Sequence, residues 1–157
     1  MENKPSDKTL FAMDLTAKMT VEQLAQEKEV ELKILSMISD DELIRLYNKA
    51  KLVVYSPYLE PFGYVPLEAM ACGLPIVSFD CPWGPRSIIS DGEDGVLIAD
   101  GDIPKLAMAI MQMIEDDQLR RKMACTARHN KTQFRIEYIA DTWKILFEEV
   151  SSHRNNS

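Results

Sequence analysis

Three short, nearly unbroken apolar runs limit the fold most: Leu52-Val53-Val54-Tyr55, Pro75-Ile76-Val77-Ser78-Phe79 and Val96-Leu97-Ile98. A strand covered on both faces reads this way, because neither face meets water. Val65 to Cys72, between the first two runs, is helical in character. A strand, helix, strand series argues for a parallel sheet with right-handed crossovers. Upstream, Val30, Leu32 and Ile34 alternate with Glu31 and Lys33, the pattern of a half-buried strand. The expected fold class is α/β, a parallel sheet of about four strands with flanking helices and an all-helical last third. The strands fall near residues 30–36, 52–56, 75–79 and 95–98.

The helices follow from spacing and caps. Leu10, Met13 and Ala17 recur at helical intervals, and Thr20-Val21-Glu22-Gln23 reads as a helix start. Ser39-Asp40-Asp41-Glu42 is a capping box, with Leu43, Leu46, Tyr47 and Ala50 on one face behind it. Asp102 caps a helix with Leu106, Ala109, Ile110, Met113 and Ile114 at core spacing. A further helix from Asp116-Asp117 turns Leu119 and Met123 inward, and the methionines of this region read as core filling. Ile136, Ile139, Ala140, Trp143, Leu146, Phe147 and Val150 form the apolar stripe of a long last helix. Residues 1–29 are thus a helical lead-in, 30–150 a domain, and 151–157 a polar tail expected to fray.

Composition narrows the partners. The chain has 157 residues, 46% hydrophobic and 27% charged, enough for one domain with a core. Its net charge of -7 repels polyanions, which disfavours a nucleic-acid binder but leaves room for one nucleotide in a local pocket. No apolar run reaches the roughly 20 residues of a membrane helix, and Met1-Glu2-Asn3-Lys4-Pro5 opens no signal peptide. Cys72, Cys81 and Cys125 are odd in number and lack CxxC spacing, and His129 and His153 stand far apart. That excludes a zinc site by spacing and fits reduced thiols in a cytoplasmic setting.

The chemistry concentrates in Glu60-Pro61-Phe62-Gly63-Tyr64-Val65-Pro66-Leu67-Glu68-Ala69-Met70-Ala71-Cys72-Gly73-Leu74-Pro75. It reads as a strand end, a tight loop and a helix start, with Pro66 in the first turn and Gly73 and Pro75 ending the helix. Free N–H groups at a helix start beyond a parallel strand make an anion site. Glu60 lies before that start and Glu68 about a turn inside it. A carboxylate only accepts hydrogen bonds, so each can hold vicinal hydroxyls of a sugar or a ribose. On the residues alone, a loop charge at Glu60 and a capping residue at Glu68 remain an equal alternative.

Glu60 and Glu68, with seven residues between, resemble the E-x7-E motif of the family 4, or group 1, retaining glycosyltransferases. The likeness continues through Ala69 to Val77, Asp80 to Ile89 and Asp91 to Leu97, and upstream from Ser39 to Ser56. The resemblance thus runs from about Val30 to about Val150. It implies the C-terminal, donor-binding, Rossmann-like half of a GT-B architecture, with residues 30–150 as the nucleotide-sugar-binding domain. It implies that Glu60 holds hydroxyls of the donor hexose near the reacting carbon, as the catalytic residue. Amides around Phe62, Gly63, Tyr64 and Val65 would meet sugar or diphosphate, and Glu68 the ribose. Gly84 and Pro85 would belong to a loop closing over the donor. Arg86 reads equally as a phosphate or acceptor contact and as a solvated charge.

The family carries an Arg and a Lys that neutralise the leaving diphosphate, with no metal or other cofactor. No such context surrounds Lys4, Lys8, Lys18 or Lys28. The first strands and the acceptor domain are therefore expected to be missing. The partners implied are a UDP- or GDP-sugar and an acceptor-domain segment or partner chain, which would also be the route to a membrane surface. Two functions follow: part of an enzyme transferring sugar to a glycan or lipid-linked acceptor with retention, inactive alone, or a non-catalytic remnant that binds nucleotide sugar or a partner. An NAD-binding domain is excluded by the lack of G-x-G-x-x-G.

Overall fold

The computed structural model describes residues 10–12, 26, 29, 31–130 and 132–154. The chain forms two compact units, Met1–Leu43 and Ile44–Ser157. In the first, β1 (Leu10–Ala12) pairs in parallel with β2 (Leu32–Ile34), Phe11 opposite Lys33. Helical spacing at Leu10 is therefore overruled: a three-residue match is a weak signal, and strand pairing outweighs it. Met13, Ala17 and the start at Thr20 to Gln23 lie outside the described residues. Helix α1 (Asp40–Lys49) opens here, the Glu42 amide donating to Ser39 Oγ at 3.3 Å, and continues into the second unit.

The second unit alternates strand and helix. Its strands are β3 (Val53–Tyr55), β4 (Ile76–Asp80) and β5 (Gly95–Ala99), all parallel, in the order β3-β4-β5. Helix α2 (Tyr64–Ala71) joins the first two, and the short α3 (Gly84–Ile88) follows β4. Helices α4 (Ile103–Glu115) and α5 (Asp117–Asn130), a 3-10 turn (Thr132–Phe134) and α6 (Ile136–Arg154) complete it. The class is the expected one, but among the described residues the four strands do not share one sheet: the strand near residue 30 pairs with Leu10–Ala12, and the other three runs form a three-stranded sheet.

β4 is paired along both edges and packed against helices α2, α3 and α4, and Ile76, Val77 and Ser78 are fully buried. Val77 packs with Ala109 and Met113 of α4 and Met123 of α5, joined by Leu52, Val96, Ile98 and Leu119. Asp102 caps α4 by accepting from the Lys105 amide at 3.1 Å. Ile114, expected in the core, is 56% exposed, and Met108 and Met111 are exposed too. Ile114 lies about 100° around the helix from Met113, and α4 is apolar over more of its circumference than one sheet face can cover.

The stripe of α6 is also exposed, Trp143 at 54% and Phe147 at 62%, with their rings 5.6 Å apart. α6 runs to Arg154, so the helix extends through Ser151 and Ser152 into the segment expected to fray.

Candidate functional site

β3 ends at Tyr55, and the chain then makes an eight-residue loop, 56–63, before α2 begins at Tyr64. Gly63 enters the helix at φ 103°, a left-handed conformation, with Ile88 Cδ1 only 3.1 Å from where a side chain would begin. The neighbouring loop, 81–83, leaves the carboxyl end of β4. The two loops are zipped together, for Glu60 and Trp83 form a parallel bridge and the Gly84 amide donates to the Glu60 carbonyl at 2.8 Å. Both lie beyond the carboxyl ends of adjacent parallel strands, where open α/β sheets bind ligands.

Gly84 makes this contact possible. A Cβ there would sit 2.4 Å from the Glu60 carbonyl oxygen and 2.6 Å from Glu60 Cγ. Trp83, beside it, is held at φ 72° and ψ -77°, a conformation a tryptophan rarely adopts. Such strain, about 1–3 kcal/mol, persists only where the surroundings fix it. Here Gly84 is tied to Glu60, and the Ser87 hydroxyl donates to the Trp83 carbonyl at 2.7 Å. Pro85 is buried beneath.

The Glu60 side chain is engaged three times. Oε1 accepts the Phe62 amide at 3.1 Å and the Gly63 amide at 2.9 Å, and Oε2 accepts the Tyr55 hydroxyl at 2.5 Å. The Tyr55 hydroxyl and these amides hold the carboxyl below the usual carboxylate range. Burial, then the bond to Glu60, pushes the Tyr55 phenol well above its ordinary value. Two of the amides expected to face a ligand are therefore spent on Glu60, and Pro66 has none. That leaves the Tyr64 and Val65 N–H groups at the helix start, where the dipole is most positive.

Glu68 is exposed on α2, and its Oε2 accepts the Tyr47 hydroxyl at 3.4 Å. Burial, then the Glu68 charge, raises Tyr47 to about 12. Arg86 clasps Asp80 with two bonds of 2.9 Å, fastening α3 to the end of β4, and its side chain remains 56% exposed. The Phe62 ring packs on Tyr64 at 4.9 Å, tilted by 55°, and meets Phe134 edge-on at 6.2 Å.

Tyr47, Tyr55 and Phe134 were missed by sequence reasoning. The two tyrosines sat inside apolar patterns, where a hydroxyl that must find a partner was the available signal.

The description "Glycosyl transferases group 1" fits residues 14–130 of the chain. The chain belongs to the group 1 glycosyltransferases. Among its relatives is an exopolysaccharide phosphotransferase of Streptomyces coelicolor, 39% identical over 62% of the chain and 10% of the relative. The chain spans between 10% and 38% of the length of eight curated relatives it matches. A variant of S. aureus TarM, solved with UDP, α-GlcNAc-glycerol and fondaparinux, superposes with a TM-score of 0.74 at 26% identity. That match covers 88% of this chain and 28% of TarM. The C-terminal domain of a group 1 glycosyltransferase from Francisella tularensis gives 0.69 at 27% identity, over 78% of this chain and 65% of that one.

Proposed function

We propose that this chain is the donor-binding part of a retaining glycosyltransferase, which moves a sugar from a nucleotide diphosphate sugar to a glycan or lipid-linked acceptor. The observation that carries the reading is the Glu60 carboxylate, fixed and ionised where two loops meet beyond the carboxyl ends of β3 and β4. UDP in the TarM neighbour supports the nucleotide class. Residues 30–150 act as the nucleotide-sugar-binding domain. Glu60 grips the hexose, and Phe62 and Gly63 act through it. Tyr64 and Val65 meet the diphosphate with their amides, and Glu68 takes the ribose. Gly84 and Pro85 hold the second loop against the donor.

Calorimetric titration with UDP and GDP tests this. Without an Arg/Lys pair the wild-type dissociation constant is expected on the order of a millimolar. Loss of a charged hydrogen bond, about 1.5–3 kcal/mol, predicts that Glu68→Ala binds UDP roughly tenfold more weakly or worse. Glu60→Ala changes UDP binding little, because Glu60 serves the sugar. The opposite ranking reverses the two assignments.

One observation favours a second reading, a non-catalytic nucleotide-sugar-binding or partner-interaction remnant: residues 1–30 hold no glycine-arginine strand end followed by Lys-Gly. Both readings predict no transfer by the isolated chain, since orientation across two domains supplies several kcal/mol of the barrier. Turnover of a sugar nucleotide with a glycan acceptor by the purified chain contradicts that. An absence of any binding at millimolar UDP and GDP favours the remnant.

A further inference from the structure

A carboxylate offers about four lone-pair positions. Glu60 Oε1 uses both of its own on the Phe62 and Gly63 amides, and Oε2 uses one on Tyr55. One position is left, on Oε2, the oxygen that Tyr55 also holds. The terminal torsion of a glutamate is broad, so a carboxylate anchored at one oxygen still swings about that anchor. Tyr55 supplies the second anchor, on the other oxygen. It can do so because it is the last residue of β3, five positions before Glu60, where the strand sets its backbone and the sheet half-buries its ring.

We propose that Tyr55 is a positioning residue for the donor sugar, whose hydroxyl fixes the Glu60 carboxylate so that the remaining acceptor position on Oε2 meets a hydroxyl of the hexose. This rests on the donor-site reading above. It adds that discrimination between a sugar nucleotide and the bare nucleotide depends on a residue that itself belongs to the strand. The lowered Glu60 carboxyl and raised Tyr55 phenol agree with the bond in the geometry.

The test compares UDP-glucose and UDP-N-acetylglucosamine with UDP, titrated into the full chain and its Tyr55→Phe variant. Removing one hydrogen bond to a charged group is expected to weaken the better sugar nucleotide about fivefold or more while UDP stays within about twofold. In Glu60→Ala the further change Tyr55→Phe should then have no effect, because the two act as one unit. Equal weakening of all three ligands means Tyr55 only supports the fold, and an unchanged preference for sugar nucleotide means it positions nothing. Either result overturns the inference and leaves the donor site standing. A wild type that binds none of the three overturns the donor-site reading, and this inference with it. Should Tyr55→Phe fail to fold, Glu60→Gln with carbon-13-labelled tyrosine serves instead. The Tyr55 phenol should titrate lower there than in wild type, and an unmoved titration also overturns the proposal.

Discussion

Glu60 and Glu68 are eight residues apart and of one chemistry, yet the fold treats them differently. Glu60 is half-buried, has three donors at 2.5 to 3.1 Å and lies in a loop locked to its neighbour through Gly84. Glu68 is exposed and meets one hydroxyl at 3.4 Å. A group fixed before its ligand arrives loses little conformational freedom on binding, whereas a free side chain must be ordered then. The sugar end of the proposed site is prepared by the fold, and the ribose end is left for the ligand to organise.

The contrast breaks most severely at Gly84. Gly84→Val places atoms inside contact distance of the Glu60 backbone and side chain, so the loops must part. Overpacking of this kind costs about 1–3 kcal/mol, and thermal unfolding should show the loss. Sugar-nucleotide binding should fall further than UDP binding, because the displaced group is Glu60. A Gly84→Val chain that keeps wild-type melting and preference would show that the loops are not locked.

The two tyrosines carry the same comparison into pH. A phenol raised in the folded state adds stability that is complete below the unfolded value of 10 and is lost as pH rises through the folded value. For Tyr47 that window runs from about 10 to about 12. Tyr47→Phe should therefore flatten the decline in stability across this range, measured by denaturant unfolding at stepped pH. Glu60 has the opposite sign. Its lowered carboxyl adds stability present above the ordinary carboxylate value and lost as pH falls through the folded one. Glu60→Gln should make unfolding less sensitive to acid, and an unaltered acid limb would mean that the three bonds do not hold the charged form.

The smallest effect is expected at Arg86. Its clasp on Asp80 is bidentate but exposed, and such pairs contribute about 0.2–1 kcal/mol. Arg86→Gln should lower the melting temperature slightly and leave UDP binding unchanged. A marked loss of UDP affinity would return Arg86 to the phosphate role that its sequence context allowed.

The sequence by itself determined the strand and helix periods of residues 52–79 and 95–130, the caps at Ser39 and Asp102, and the glutamate-flanked loop and helix start. All of these are local, written in the spacing of neighbouring residues and in backbone groups that a nearby side chain can satisfy. Gly84 and Pro85, expected in a loop, instead open the short helix α3, because Gly84 docks on Glu60. Tertiary structure alone decided that the strand near residue 30 pairs with Leu10–Ala12, because strand pairing joins segments that carry no mark of each other. It also decided which apolar residues are covered. Ile114 and the stripe of α6 have core spacing but are exposed, since spacing defines a face and only a packed neighbour can bury it. Nor could spacing show that Phe62 and Gly63 would give their amides to Glu60, or that Tyr55 would reach its other oxygen. Those bonds depend on the loop path, which forms only where Gly84 lets two loops touch.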